Sequence, residues 1–367
     1  MECRALIVVL SNDSFQSPWV KEEYDFAKGL YHKKELTIIP IVIDDSEIPG
    51  FFNNHKWIDC KQGLNPYSFF MILSAMYGSS ENMREEKDIY VSYSWREDEQ
   101  ALVEAVFNRL RRNRYRLIGD AGDQSVYDEN NRISRIMDTC GAYVGILPYR
   151  EDTITTTSRY ILDEIRIAEE HGLPGILIAD SRIEDLDGIS SYPILKIDPN
   201  EETVQNKLLD FISTLKVNVP KKPHVFFATN LDKERKSING YIRNLCGYVT
   251  ATRCILGEDI DNGSLQQQII ERIKNAYVMI ADITGDSQCH DCEKPGTESK
   301  DKMYRFNTCI EAGIARGANT TLFILAKEPR KSPPFMFRDM EVRYYNDDCE
   351  LLALIHKDLR THRRTIL

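Results

Sequence analysis

The chain has 367 residues, 42% of them hydrophobic and 28% charged, with a formal net charge of −10. That length holds two or three domains with cores of their own. The acidic balance argues against nucleic acid as a general partner, because phosphate recognition needs basic surface, and no apolar run reaches a membrane span and no signal peptide opens the chain.

In chain order, Ala5 to Ser11 is an apolar strand, followed by a helix from Ser17 that carries Glu23 with Ala27 four residues on. An apolar run from Thr37 to Ile43 and a helical stretch from Ser68 to Tyr77 come next. The polar stretch Ser79 to Lys87 predicts a linker. Then a full alternation begins: strand Asp88 to Ser94, helix Glu99 to Asn113, strand Tyr115 to Asp120, helix Asn131 to Thr139 and strand Ala142 to Leu147. It continues with helix Tyr160 to His171, strand Gly175 to Ala179, a short strand at Ile194 to Ile197 and helix Thr203 to Leu215. A second polar stretch, Lys216 to Pro223, predicts another linker. Beyond it lie strand His224 to Ala228, helix Glu234 to Leu245, helix Ser264 to Asn275 and strand Tyr277 to Ala281. A helix around Glu311, strands Thr321 to Ala326 and Val342 to Tyr345, and helix Leu351 to Arg360 complete the series. Short Val/Ile/Tyr-rich strands separated by helices of ten to fifteen residues predict βαβ units with parallel sheets. The expected units are 1–78, 88–215 and 223–367, the first holding only the back half of such a unit. Either Met1 is not the natural start, or that half cannot close a pocket unaided.

One pattern occurs three times: an apolar strand, then a helix bearing a glutamate with an alanine four residues later. The pairs are Glu23 and Ala27, Glu164 and Ala168, and Glu311 and Ala315. A carboxylate early in a helix at the carboxyl edge of a buried strand stands where α/β sheets bind ligands. Helix-dipole and capping effects favour a glutamate there as well, with no catalytic task. Nine cysteines, odd in number and scattered, read as reduced thiols and point to a cytoplasmic location.

Residues Cys3 to Cys60 resemble the C-terminal half of a Toll/interleukin-1 receptor (TIR) domain. The matching residues are the strand Ala5 to Ser11, the run Ser14-Phe15-Gln16-Ser17-Pro18-Trp19, Glu23 four residues beyond that tryptophan, Ile38-Ile39-Pro40-Ile41, and Ile48-Pro49-Gly50-Phe51. Residues 88–215 resemble a second, diverged copy, with Tyr160 in place of the tryptophan before Glu164. Residues His224 to Leu367 are similar instead to the nucleoside 2-deoxyribosyltransferase-like family, through Ile280-Ala281-Asp282-Ile283-Thr284, Asn307 and Glu311-Ala312-Gly313-Ile314-Ala315. A loop from Gly285 to Lys302 departs from that family's compact pattern. The resemblances imply an α/β fold of flavodoxin-like three-layer parallel sheets, repeated in two complete domains and one partial domain.

They also imply chemistry. Many bacterial and plant TIR domains cleave the nicotinamide–ribose bond of NAD with a glutamate at the position of Glu23, and deoxyribosyltransferases break a sugar–base bond with one placed like Glu311. A fixed carboxylate stabilises the positive charge that builds on the sugar, and nicotinamide leaves without a strong acid or a metal. The implied catalytic candidates are Glu23, Glu164 and Glu311, with Trp19 orienting the helix of Glu23. Nucleotide-binding candidates are Trp19, Ser92, Trp95, Arg96, Tyr160, Thr229, Asn230, Asp282 and Asn307. Five of them lie in the polar segments Ser92 to Glu97 and Thr229 to Asp232, which end strands and read equally well as ordinary βα turns. The implied substrate is NAD, with no cofactor required, in a defence or stress response. The implied partners are a nucleotide ligand and other TIR domains or copies of this chain. Two alternatives remain: a non-catalytic TIR signalling or nucleotide-sensing module, and a nucleoside or nucleotide base–sugar hydrolase or transferase working through the third domain.

Three further signals carry less. Cys289-His290-Asp291-Cys292 has metal-ligand spacing without a second pair nearby, so no metal site is expected. Arg109, Arg111, Arg112, Arg114 and Arg116 complement a helix C-terminus as a solvated face. No Gly-rich phosphate loop occurs, which argues against a P-loop NTPase or a dinucleotide oxidoreductase.

Overall fold

The structure, a computed structural model, describes residues 5–32, 36–46, 48, 56–77, 87–119, 129–151, 156–259, 265–285, 305–328, 334–362 and 365–366. The motif Cys289 to Cys292 and the first linker, apart from Lys87, lie outside these residues. Three parallel sheets, each flanked by helices, form an α/β, flavodoxin-like fold.

The first sheet has β1 (Ala5–Leu10), β2 (Thr37–Val42) and β3 (Ile58–Asp59) in that order, all parallel. Helix α1 (Asn12–Gln16) starts on a capping box in which Ser11 and Ser14 satisfy each other's backbone N–H groups. Helix α2 (Pro18–His32) opens on a proline, whose fixed φ suits a first helical turn. Helix α3 (Pro66–Tyr77) follows β3.

The second sheet is built from β4 (Lys87–Ser92), α4 (Gln100–Arg112), β5 (Tyr115–Gly119), α5 (Glu129–Met137), β6 (Ala142–Leu147), α6 (Arg159–Glu170), β7 (Gly175–Asp180), β8 (Ile194–Ile197) and α7 (Val204–Ile212). The third uses β9 (His224–Ala228), α8 (Lys236–Thr250), β10 (Arg253–Leu256), α9 (Leu265–Lys274), β11 (Ala276–Asp282), α10 (Phe306–Gly317), β12 (Thr321–Lys327), β13 (Val342–Tyr345) and α11 (Asp348–Arg360). Their parallel strands run β5-β4-β6-β7-β8 and β10-β9-β11-β12-β13. Numbered within each unit, both orders are 2-1-3-4-5, which puts the switch point between the first and third strands. By the same numbering β1, β2 and β3 correspond to strands three, four and five. The central strands explain the continuous apolar runs: every residue of β6 and β11 is buried, as parallel strands covered on both faces require.

The three motif alanines, Ala27, Ala168 and Ala315, are all buried at 2% exposure or less. A small side chain at that point lets each helix lie close on its sheet, and the residue four before it shares that face.

Two elements cross the expected unit boundaries. Helix α3 is apolar on every side and is used on two sides. Ile72 joins Ile39, Ile41 and Ile58 of the first sheet, while Phe70 and Leu73 enter the core of the third unit. The Phe70 ring stacks on Tyr241 of α8 at 5.0 Å, and the Tyr77 hydroxyl bonds to His356 Nε2 of α11 at 2.6 Å. At the other end of the chain, β14 (Thr365–Ile366) returns to pair antiparallel with β5 of the second sheet. The second predicted linker is a docked strap. The Asn218 N–H donates to the Gly141 carbonyl (2.9 Å) and that of Lys222 to the Asp138 carbonyl (2.8 Å). A Cβ at Gly141 would sit 2.1 Å from the Asn218 carbonyl oxygen, so only glycine fits beneath the strap.

Candidate functional site

In the second unit the glutamate is consumed internally. Tyr90 and Ser92 lie two apart on β4 and so point to the same face, toward α6. The Tyr90 hydroxyl donates to Glu164 Oε1 at 2.5 Å and the Ser92 hydroxyl donates to Oε2. Glu164 is 2% exposed. The Tyr143 ring stacks on Tyr90, and its hydroxyl is held far above the ordinary tyrosine range by burial and by the neighbouring Glu164 charge. Ser92 and Glu164 are therefore brought together, as partners of each other. Trp95, stacked on Tyr93 at 5.8 Å, Arg96 and Tyr160 stand outward at the same edge. Beneath them the Arg150 guanidinium pairs with Glu99 at 2.7 Å. Burial pushes the Glu99 carboxyl up, but the Arg150 and Ser94 hydrogen bonds outweigh it and hold the carboxyl below its usual range.

In the first unit Glu23 is exposed on α2 beside β1. It lines a cavity of about 200 Å³ with Ile7, Val9, Ser14, Val20 and Tyr24. Ligand sites begin at roughly 300 Å³, so this hollow is small for a dinucleotide. Trp19, expected to orient this helix, is 76% exposed. Ile7 and Val9 of β1 are also nearly half exposed, whereas the equivalent strands β6 and β11 are fully buried.

In the third unit the carboxyl edge of the sheet carries a polar cluster. Asp282, at the end of β11, is 3% exposed and receives every neighbour it can hold. Its Oδ2 accepts from Arg235 (3.0 Å) and the Tyr345 hydroxyl (2.8 Å); its Oδ1 accepts from the Thr284 hydroxyl (2.5 Å) and N–H (3.2 Å). Arg235 also reaches Asp348 at 2.9 Å. Burial disfavours the Arg235 charge, but Asp282, Tyr345 and Asp348 overcome it and raise its pKa. Asp282 thus locks the ends of β11 and β13 to the start of α8. Arg235 and Tyr345 belong to no motif in the sequence, whereas Thr284 closes the motif Ile280 to Thr284 with no role assigned to it there.

Thr229, at the end of β9, is buried, and its hydroxyl has no hydrogen-bond partner among the described residues. The Asn230 side chain accepts from the Asp232 N–H at 2.8 Å, and the Asn230 backbone carbonyl accepts from the Asn239 side chain, whose Oδ1 is buried with no partner among the described residues. Asn307 is exposed on the first turn of α10. One turn on, Glu311 is half-buried where α10 packs on β11, β12 and β9. Burial alone raises its carboxyl from 4.5 to about 7, and no hydrogen bond to it occurs among the described residues. The structure thus separates the three glutamates into one exposed, one sealed and one desolvated with no hydrogen bond to its carboxyl among the described residues. Among the described residues no group of three His, Cys, Asp or Glu side chains is placed to hold a metal, and no helix is long and apolar enough to cross a membrane.

Comparison with known proteins bears on the first of these units. Residues 1–73 match the TIR domain family. The match covers β1 to most of α3, the first of the three units and the one that carries Glu23. No curated protein matches the chain. Among solved structures, the C-terminal domain of glucosamine-fructose-6-phosphate aminotransferase from Francisella tularensis is similar at 11% identity. It covers 78% of this chain and 87% of its own with a TM-score of 0.25, too low to carry an argument.

Proposed function

We propose that this TIR-domain-containing chain cleaves the N-glycosidic bond of NAD or a related nucleotide, with Glu311 of the third unit as the working carboxylate. The observation that carries the reading is the state of Glu311. It is desolvated, unpaired among the described residues, and raised to about 7 on a helix at the switch point of a complete flavodoxin-like sheet. A carboxylate in low dielectric stabilises an oxocarbenium-like sugar more strongly than one in water, because less solvent screens it. Glu164 lacks that freedom, since both its oxygens are occupied. Glu23 has the family's motif on an open sheet and beside a small hollow. Thr229 and Asn239 supply buried polar atoms that have no partner among the described residues, near the same sheet edge and suited to ribose or amide groups. Self-association through the TIR unit belongs to the proposal, as does a role in defence or stress signalling.

A second reading is favoured by a separate observation. Ile7, Val9, Trp19 and Phe26 expose apolar surface around Glu23, which suits a TIR unit that binds partners without turnover. One experiment separates the two: nicotinamide release from NAD by the full chain and by Glu23→Gln, Glu164→Gln and Glu311→Gln. The proposal expects a loss of about 100-fold or more in Glu311→Gln, while Glu23→Gln retains activity. Equal rates in all four proteins would refute it.

A further inference from the structure

At the amino edge of the second sheet, opposite the edge that carries Glu164, α5 and α6 pack side by side. Ser134 lies on α5 and Asp138 directly after it, four residues apart and on one face. Both reach His171, the C-cap of α6. The Ser134 hydroxyl is 2.7 Å from His171 Nε2, and an Asp138 carboxylate oxygen is 3.0 Å from Nδ1. A carboxylate only accepts, so in the neutral imidazole Nδ1 carries the proton and Nε2 accepts from the serine hydroxyl. That is the order of contacts by which a carboxylate orients an imidazole and the imidazole activates a hydroxyl. All three side chains are partly open to solvent, with His171 and Asp138 at 18% and 19%.

The strap from 216 to 223 closes over the same corner. The Lys222 N–H holds the Asp138 carbonyl (2.8 Å), and the Lys221 ammonium donates to the His171 carbonyl (2.6 Å). A clip between two helices needs one hydrogen bond. Here the imidazole is engaged at both nitrogens by a hydroxyl and a carboxylate, and the Lys221 ammonium is held on the His171 backbone carbonyl.

We propose that Ser134, His171 and Asp138 form a nucleophilic site that takes the acyl group of a small carboxylic ester. Ser134 Oγ bonds to the carbonyl carbon as its proton passes to His171 Nε2. The carbon–oxygen bond to the alcohol breaks, and the departing oxygen takes that proton from Nε2. Water then cleaves the acyl-serine by the same route, releasing the free acid and restoring the hydroxyl. Asp138 touches no substrate and is a positioning residue. The site stands apart from the glycosidic-bond chemistry and does not depend on it.

The test uses the full chain with p-nitrophenyl acetate and, separately, a fluorophosphonate probe. The expected result is a single covalent adduct by intact mass, mapped to Ser134. It should be absent in Ser134→Ala and in His171→Asn, and formed about 100-fold more slowly in Asp138→Asn. The melting curve of Asp138→Asn should stay that of the unaltered protein, which distinguishes positioning from a loss of fold. No adduct, an adduct on another residue, or an unchanged labelling rate in Asp138→Asn would overturn the proposal.

Discussion

Glu311 and His224 place opposite demands on the folded state. The Glu311 carboxyl rises from 4.5 to about 7, so the native chain holds a proton there that the unfolded chain releases. Its contribution is present below about pH 4.5 and is lost as pH rises through 7. Glu311→Gln should therefore gain about 1–3 kcal/mol at pH 8 and little at pH 4.5, read from denaturant midpoints. His224 is buried with its Nε2 against the Arg272 carbonyl, and burial lowers its pKa from 6.5 to about 4. That contribution is complete above 6.5 and lost as pH falls toward 4. Because the two slopes oppose each other between pH 4.5 and 6.5, only the difference between wild type and Glu311→Gln isolates the glutamate. Glu164 answers to a different cause. Removing its carboxylate leaves the Tyr90 and Ser92 hydroxyls buried without their acceptor, so Glu164→Ala should cost about 2–4 kcal/mol by chemical denaturation. A cost below about 0.5 kcal/mol would show the cluster to be slack.

The three glutamate helices show what sequence pattern does and does not reveal about an element. Strand, helix and buried alanine were legible each time, because apolar runs and four-residue spacing are local signals. The fate of each glutamate was not. It depends on what lies on the neighbouring strand: Tyr90 and Ser92 opposite Glu164, open solvent at Glu23. Asp282 was legible as a residue at a strand end, but its partners Arg235 and Tyr345 come from 47 and 63 positions away. Strand β10 escaped notice because its four residues, Arg253 to Leu256, are too short to show a period. Two-residue β14 carries no pattern at all. Helix α3 was legible, and its run Phe69 to Leu73 already shows the absence of a polar face that two-sided packing demands. Phe70→Ala is predicted to cost about 3–5 kcal/mol, since the ring fills a core shared with Tyr241. It should also open 66–77 to limited proteolysis, whereas a substitution at the exposed Tyr67 should not.

At the scale of the whole molecule, the TIR-matched first unit is not a free appendage. Helix α3 belongs to its core and to that of the third unit, while β14 joins the end of the chain to the second sheet. The strap at 216–223, bonded to Gly141 and Asp138, fixes the passage between the second and third units. Three parallel sheets are thus held together while their glutamates lie in different environments. On the proposed function, the desolvated Glu311 carboxylate is the group that breaks the glycosidic bond. The pH dependence of nicotinamide release from NAD tests it most directly. Since the ionised form stabilises the cationic sugar, the rate should climb with pH along a single titration centred near 7 and level off above it. A rate that is flat across pH 5 to 9, or a rise that persists unchanged in Glu311→Gln, would contradict the account.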